Sequence, residues 1–147
     1  MIAFRAALEA DLPAIVAMLA DDALGATREG QDMAPYIQAL RDMQGRDTSV
    51  YVGVLEGRIV ATYQLIVQYG LSHQGRRVAV LESVRVDGTL RGQGLGAQLV
   101  ADAETRARAF GAKVLQLTTH KSRARAHAFY ERLGFTASHI GYKRELT

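Results

Sequence analysis

The chain has 147 residues, 48% of them hydrophobic, with a net charge of +3 and no cysteine. That length suits one domain, 1–147, around one core, and the apolar fraction excludes general disorder. The lack of cysteine excludes disulfides, thiolate metal sites and a cysteine nucleophile, and the small basic excess suits an anionic ligand while arguing against nucleic acid as a partner. No apolar run reaches the roughly 18 residues of a membrane span. Asp11 and Pro13 interrupt the N-terminal stretch where a signal peptide would stay apolar, so no membrane partner and a cytoplasmic setting are expected.

Residues 2–7, IAFRAA, read as a first strand. EADLPAIVAMLA reads as a helix, with Asp11 as N-cap, Pro13 in the first turn and Ile15, Met18 and Leu19 on its apolar face. DDALGATREGQD reads as a polar loop, and Met33, Ile37, Leu40 and Met43 predict a second helix over 33–44. SVYVGVLEGRIVATYQLIVQY predicts a hairpin turning at Glu56-Gly57-Arg58. GLSHQGRR is the next turn, and the mostly apolar VAVLESVRV predicts a central strand.

LGAQLVADAETRARAF predicts a helix with Leu95, Leu99, Ala103 and Phe110 inward, Glu104 and Arg108 paired outward, and Gly111 as its stop. KVLQLTT predicts a strand and RARAHAFYERLG a helix closed by Gly134. FTASHIGYKREL predicts one or two closing strands. The order β-α-α-β-β-β-α-β-α-β describes a mixed α/β, or α+β, domain around one sheet.

RGQGLG, residues 91–96, joins the central strand to the next helix. It is not a P-loop, since GxxxxGK[ST] is absent. Gly92-Gln93-Gly94-Leu95-Gly96-Ala97 matches GxGxxG/A in form. The following strand, KVLQLTTH, lacks the acidic residue that a dinucleotide fold places on the ribose. Two readings are left: an anion cradle, or a tight strand-to-helix turn that holds nothing. Glycines let backbone N–H groups turn toward an anion, and the helix N-terminus adds partial positive charge.

AHAFYERLGF stands at residues 126–135. With LESVRV, RGQGLG and this segment, the chain resembles the GNAT superfamily of acetyl-CoA-dependent N-acetyltransferases, in element order over nearly its whole length. The stretch AHAFYERLGFTASHIGYKREL is also similar to aminoalkylphosphonate N-acetyltransferases. The resemblance implies a central mixed, splayed β-sheet flanked by helices. It implies that Arg91, Gly92, Gln93, Gly94, Leu95 and Gly96 hold the pyrophosphate of coenzyme A. It also implies that the backbone of Val84, Arg85 and Val86 pairs with the pantetheine arm. Where family members often carry an asparagine against the cofactor, this chain has Arg123, which either meets a cofactor phosphate or is solvated.

Acetyl transfer to an amine needs the amine neutral, and at pH 7 that costs a lysine-like amine about 4.6 kcal/mol. A general base helps remove the proton, and a general acid protonates the departing thiolate. The resemblance assigns Tyr130 as the acid; by itself the residue reads as a core aromatic. Glu82, in a strand expected to be mostly buried, is either the base or the partner of a structural arginine. Ser83 is expected on the opposite strand face, with a structural role. His73, His120 and His127 are further ionisable residues, and no group has metal-ligand spacing.

The acceptor implied is a primary amine of a small molecule, attacking directly in a ternary complex. A protein or peptide amine is the alternative acceptor, and a non-catalytic acyl-CoA-binding regulator or an unrelated phosphate-binding module the alternative function. Asp21, Asp22, Glu29 and Asp32 in the first loop either favour a cationic amine or form a solvated acidic surface. The resemblance leaves a homodimer open.

Overall fold

The computed structural model describes residues 1–147 as two compact units, Met1–Gln116 and Leu117–Thr147. The first is organised by a five-stranded sheet in the order β1 (Ala3–Ala6), β2 (Thr48–Leu55), β3 (Arg58–Gln68), β4 (Arg77–Val86), β5 (Ala112–Leu117). Strands β1 to β4 run antiparallel to their neighbours. The predicted central strand, β4, lies between β3 and β5. The β2–β3 hairpin turns on Glu56 and Gly57, with φ of 51° and 76°. Two left-handed residues make a turn whose twist matches the strands it joins.

Helices α1 (Leu12–Ala20) and α3 (Ala34–Met43) cover one sheet face, where Leu12, Ile15 and Val52 are buried with Ile37 and Leu40 packed against them. Helix α5 (Leu95–Ala109) packs on β3 and β4 from the other face. There Tyr63 Oη donates to Asp102, and the Arg106 guanidinium stands 4.1 Å from the centre of the Tyr51 ring. Burial pushes the Tyr63 phenol pKa up, so it remains a donor. Along α5 the buried residues are Leu95, Leu99, Val100, Ala103 and Ala107. Phe110, expected inward, is 44% exposed. The helix ends at Ala109, so the inward stripe closes on Ala107 and Phe110 lies past it.

Asp11 occupies the N-cap position of α1, but its side chain makes no capping bond. It turns back instead, accepting from Leu8 N at 2.7 Å and from both terminal nitrogens of Arg5 at 2.7 and 3.0 Å. The Arg5 guanidinium and the Leu8 amide hold its carboxyl below the usual carboxylate range. Asp11→Ala should therefore destabilise the fold by about 1–3 kcal/mol in urea titrations. Because the folded value is depressed, this contribution is complete above the unfolded carboxylate pKa of about 3.9 and disappears as pH falls through the folded value. The wild-type–variant difference should narrow on acidification.

The loop after α1 is not wholly irregular. Asp22 Oδ1 accepts from Gly25 N and opens a single turn, α2 (Gly25–Arg28). Only glycine fits there, since a Cβ on residue 25 would lie 1.8 Å from Leu19 O. The β3–β4 connection holds the short turn α4 (Ser72–Gly75), in which His73, Gln74 and Gly75 all have positive φ.

The second unit contains α6 (Ala124–Arg132), followed by Gly134 at φ 92°. The closing strands expected in FTASHIGYKREL are not formed, and the element order ends on α6. The segment has strand propensity, but a strand exists only where a neighbour supplies its ladder of hydrogen bonds. No helix is long and apolar enough to cross a membrane.

Candidate active site

Strand β4 is irregular in its second half. Gln64 faces Glu82 and Thr62 faces Arg85, so one residue of β3, Tyr63, is opposed by two of β4, Ser83 and Val84. Ser83 carries a φ of 51°. This is a β-bulge, which bends the strand and re-aims the side chains beyond it. In a regular strand residues 82 and 85 would point to opposite faces. Across the bulge both lie opposite residues two apart on β3, so both point to one face. That face is the one carrying Val50 and Val52, under α1 and α3.

The side chains confirm the assignment for Arg85. Its guanidinium lies 3.7 Å from Asp22, just beyond α1, and donates to Val84 O at 2.9 Å. Glu82 is half-buried and carries no ion pair. Beside the bulge is a cavity of about 140 Å³, between Leu19 of α1, Tyr36 and Met43 of α3, and Thr62, Gln64 and Ser83 of the sheet. Its lining is mainly apolar.

Past β4 the chain is pinned before it reaches the glycines. Asp87 N donates to Val60 O at 2.7 Å, and the Asp87 carboxylate accepts from Thr89 N and Thr89 Oγ1 at 2.9 and 2.8 Å. These Thr89 bonds hold the Asp87 carboxyl below its usual range. Gly92 and Gly94 then adopt φ of 83° and 79°, and nothing lies within 4 Å of where a Cβ would stand on either. Gly94 is the N-cap residue of α5, and its carbonyl accepts from Gln98 N at 3.2 Å. The amides of Leu95, Gly96 and Ala97 precede that first helical bond and belong to the orphan donors of a helix start. The exposed Arg91 precedes them. Left-handed glycines, free amides and positive end charge fit an anionic phosphate group.

Three of the four acids after α1 are engaged. Asp22 holds Gly25 and Arg85, Glu29 accepts from Tyr36 Oη at 2.8 Å, and Asp32 accepts from Ala34 N at 3.0 Å. The carboxylate of Asp21 enters no such bond, and its Oδ2 lies 3.1 Å from where a Cβ on Gly88 would stand. The acidity of this loop is thus mostly structural.

Tyr130 and Arg123 belong to the second unit. Tyr130 is half-buried, its ring edge-on to Phe129 at 5.0 Å and to Phe135 at 5.7 Å. Phe135 N donates to Tyr130 O at 3.0 Å, closing the turn after α6 over the tyrosine. Arg123 is the N-cap residue of α6, and its carbonyl accepts from His127 N. His127 Nε2 is 3.1 Å from His120 O, and His120 Nδ1 is 2.8 Å from Ser122 Oγ. Both histidines thereby brace the entry to α6.

The bulge is the feature that the strand pattern did not reveal. Ser83, expected on the far face with a structural role, is the bulged residue and borders the cavity. A signal was present: Glu82 and Arg85 are an odd number of residues apart, and a regular strand would bury one of two charges on each face.

Residues 14–135 match the model of the acetyltransferase (GNAT) family. An aminoalkylphosphonate N-acetyltransferase of Salmonella typhimurium is 36% identical over 90 residues, 61% of this chain and 58% of that protein. A glucosamine 6-phosphate N-acetyltransferase of Trypanosoma brucei brucei is 37% identical over 102 residues, 69% of this chain and 67% of that protein. Among solved structures, one described as a transcriptional regulator from Bacillus halodurans C-125 superposes with a TM-score of 0.94 at 39% identity, covering 99% of this chain and all of that one.

Proposed function

The chain belongs to the acetyltransferase (GNAT) family, and from that premise we propose that it transfers the acetyl group of acetyl-CoA to the primary amine of a small molecule, by direct attack in a ternary complex. The observation that carries this reading is the sequence of a bulged β4, two left-handed glycines and the free start of α5. The space above Gly92 and Gly94 is open where side chains would fill it, so the residues present fit a diphosphate. The matched region spans both compact units, and we read 1–147 as one transferase domain.

In this reading Gly92, Gly94 and the amides of Leu95 and Gly96 hold the pyrophosphate, with Arg91 and Gln93 at its rim. The backbone of Val84, Arg85 and Val86 aligns the pantetheine arm, and an amide of this stretch receives the negative charge that develops on the acyl oxygen. Arg123, at the position of the family's cofactor-contacting asparagine, either meets a cofactor phosphate or is solvated. The bound thioester supplies an activated acyl carbon. Glu82 withdraws the amine proton, directly or through water, and Tyr130 returns a proton to the leaving sulfur. The role of Tyr130 rests on the match of AHAFYERLGF to the family, and that of Glu82 on a half-buried carboxylate without an ion pair, opposite Gln64 at the bulge.

The two curated relatives are named for an aminoalkylphosphonate and for glucosamine 6-phosphate. Each is an amine carrying a phosphorus oxyanion, so such amines head the acceptor panel. The decisive assay is release of free thiol from acetyl-CoA with aminophosphonates, amino sugar phosphates, simple amines, amino acids and peptides. Turnover with one class identifies the acceptor. The description of the Bacillus halodurans structure favours a second reading, a regulator that binds acyl-CoA without turning it over. That reading expects binding with no thiol release for any amine. Gly94→Ala tests the loop separately. A methyl at φ 79° strains the turn and enters the open cradle. The expected result is a KM for acetyl-CoA raised about tenfold, with a smaller change in kcat. An unchanged KM would remove Gly94 from the donor site.

A further inference from the structure

We propose that the cavity beside the bulge seats an apolar group of about six carbons carried by the acceptor, so that the acceptor is an alkylamine or arylalkylamine. This names a substrate class within the transferase reading above and rests on it. It parts the chain from the two curated relatives, which are named for amines carrying a phosphorus oxyanion.

Size comes first. The cavity holds about 140 Å³. An apolar cavity of about 150 Å³ admits benzene, so this one takes a phenyl ring or an alkyl group of similar bulk. Its walls include the buried Leu12 and Ile15 of α1, Leu40 and Met43 of α3, and Val50 of β2. Two other lining residues, Ala39 and Ser83, are exposed, so the space communicates with solvent.

The chemistry of the walls selects against charge. No lining residue is charged. The polar side chains that reach the cavity already have partners. Tyr36 Oη donates to Glu29 at 2.8 Å and accepts from Gly30 N at 3.0 Å. Thr62 Oγ1 donates to Tyr51 O at 2.9 Å, and Gln64 Nε2 to Thr48 Oγ1 at 3.0 Å. Arg85, the cation on this face of the sheet, is held 3.7 Å from Asp22. A phosphonate or phosphate entering here would leave water without a counter-charge in return. An alkyl group instead gains about fourfold in affinity for each methylene buried.

The cavity also sits where an acceptor must be delivered. Ser83 lines it and is the bulged residue. Val84, next in the chain, begins the stretch read above as aligning the pantetheine arm. Gln64, a second lining residue, is opposite Glu82 in the sheet register. An apolar group seated in the cavity therefore brings an amine on a short link to the part of β4 where the thioester and the base are assigned.

The test titrates the full chain by calorimetry, with coenzyme A present so that no acetyl group moves. The probes are ethylamine, butylamine, hexylamine, decylamine, phenethylamine, aminoethylphosphonate and glucosamine 6-phosphate. Affinity should rise about fourfold per methylene from ethylamine to hexylamine and level off by decylamine. Phenethylamine should bind about tenfold or more tighter than either phosphorus compound, with a negative heat-capacity change. Ala39→Phe adds a ring to the lining and should erase the chain-length dependence, while circular dichroism stays that of the folded protein. A flat chain-length series overturns the proposal. So does a phosphorus amine that binds more tightly than phenethylamine, or a chain-length dependence that survives Ala39→Phe. Should that variant misfold, the wild-type series and the phosphorus amines decide alone. Thiol release from acetyl-CoA with the same amines separates the two readings. Release fastest with a phosphorus amine overturns the apolar acceptor and leaves the transferase standing. Binding in the expected order with no release for any amine removes the transferase reading and keeps the cavity as a site for apolar amines.

Discussion

Tyr130→Phe should lower kcat by about 10²–10⁴-fold, the range for removal of a general acid, while acetyl-CoA binding stays nearly unchanged. The substitution removes one oxygen and preserves the ring that meets Phe129 and Phe135 edge-on. Packing is kept, so thermal stability should change by no more than about 1 kcal/mol. The catalytic argument is that a thiolate leaves poorly without a proton, and a phenol still holds its proton at pH 7. A structural role would move the melting temperature along with the rate. A proton-donating role makes the loss depend on the leaving group: an acyl thioester of a more acidic thiol should suffer less from the substitution than acetyl-CoA. Equal turnover by variant and wild type would remove Tyr130 from the mechanism.

Much of the fold was legible because its signals are local. The hairpin at Glu56-Gly57, the stop at Gly111 and the i,i+4 pair of Glu104 and Arg108 each depend on residues close in sequence, and each is formed. The loop 91–96 was legible for the same reason, since left-handed glycines before a helix need no distant partner. Where the outcome depends on which of several partners a side chain or segment takes, the reading failed. Asp11 looked like a cap because its neighbours are helical, but Arg5 on β1 and the Leu8 amide claim its carboxylate. The acids after α1 read as a ligand surface or a solvated one, and neither reading anticipated that Gly25, Tyr36 and Ala34 use three of them. The closing strands carry sequence preference that no neighbouring strand completes. At the candidate site the residues were readable and their directions were not. The bulge at Ser83 arises from pairing with β3, and it alone decides which face Glu82 and Arg85 share.

That shared face sets the expectation for Glu82. Glu82→Gln should lower kcat/KM at neutral pH by about 10²–10⁴-fold, the range for removal of a general base. The side chain is free to act because it carries no ion pair, whereas Arg85 on the same face is already committed to Asp22 and Val84. Glutamine keeps the size and hydrogen-bonding reach of the residue, so the loss reports the carboxylate and not the packing of the strand. The defect should shrink as pH rises. An amine that must lose a proton at pH 7 meets a penalty of about 4.6 kcal/mol, and that penalty falls by about 1.4 kcal/mol for each pH unit gained. Near the amine's own pKa the variant should approach the wild-type rate, and Glu82→Asp should restore part of the activity at neutral pH. If instead Glu82→Gln turns over like the wild type at neutral pH, the base is another group. Asp21 would then be next to test, as the acid of the first loop whose carboxylate is not otherwise engaged.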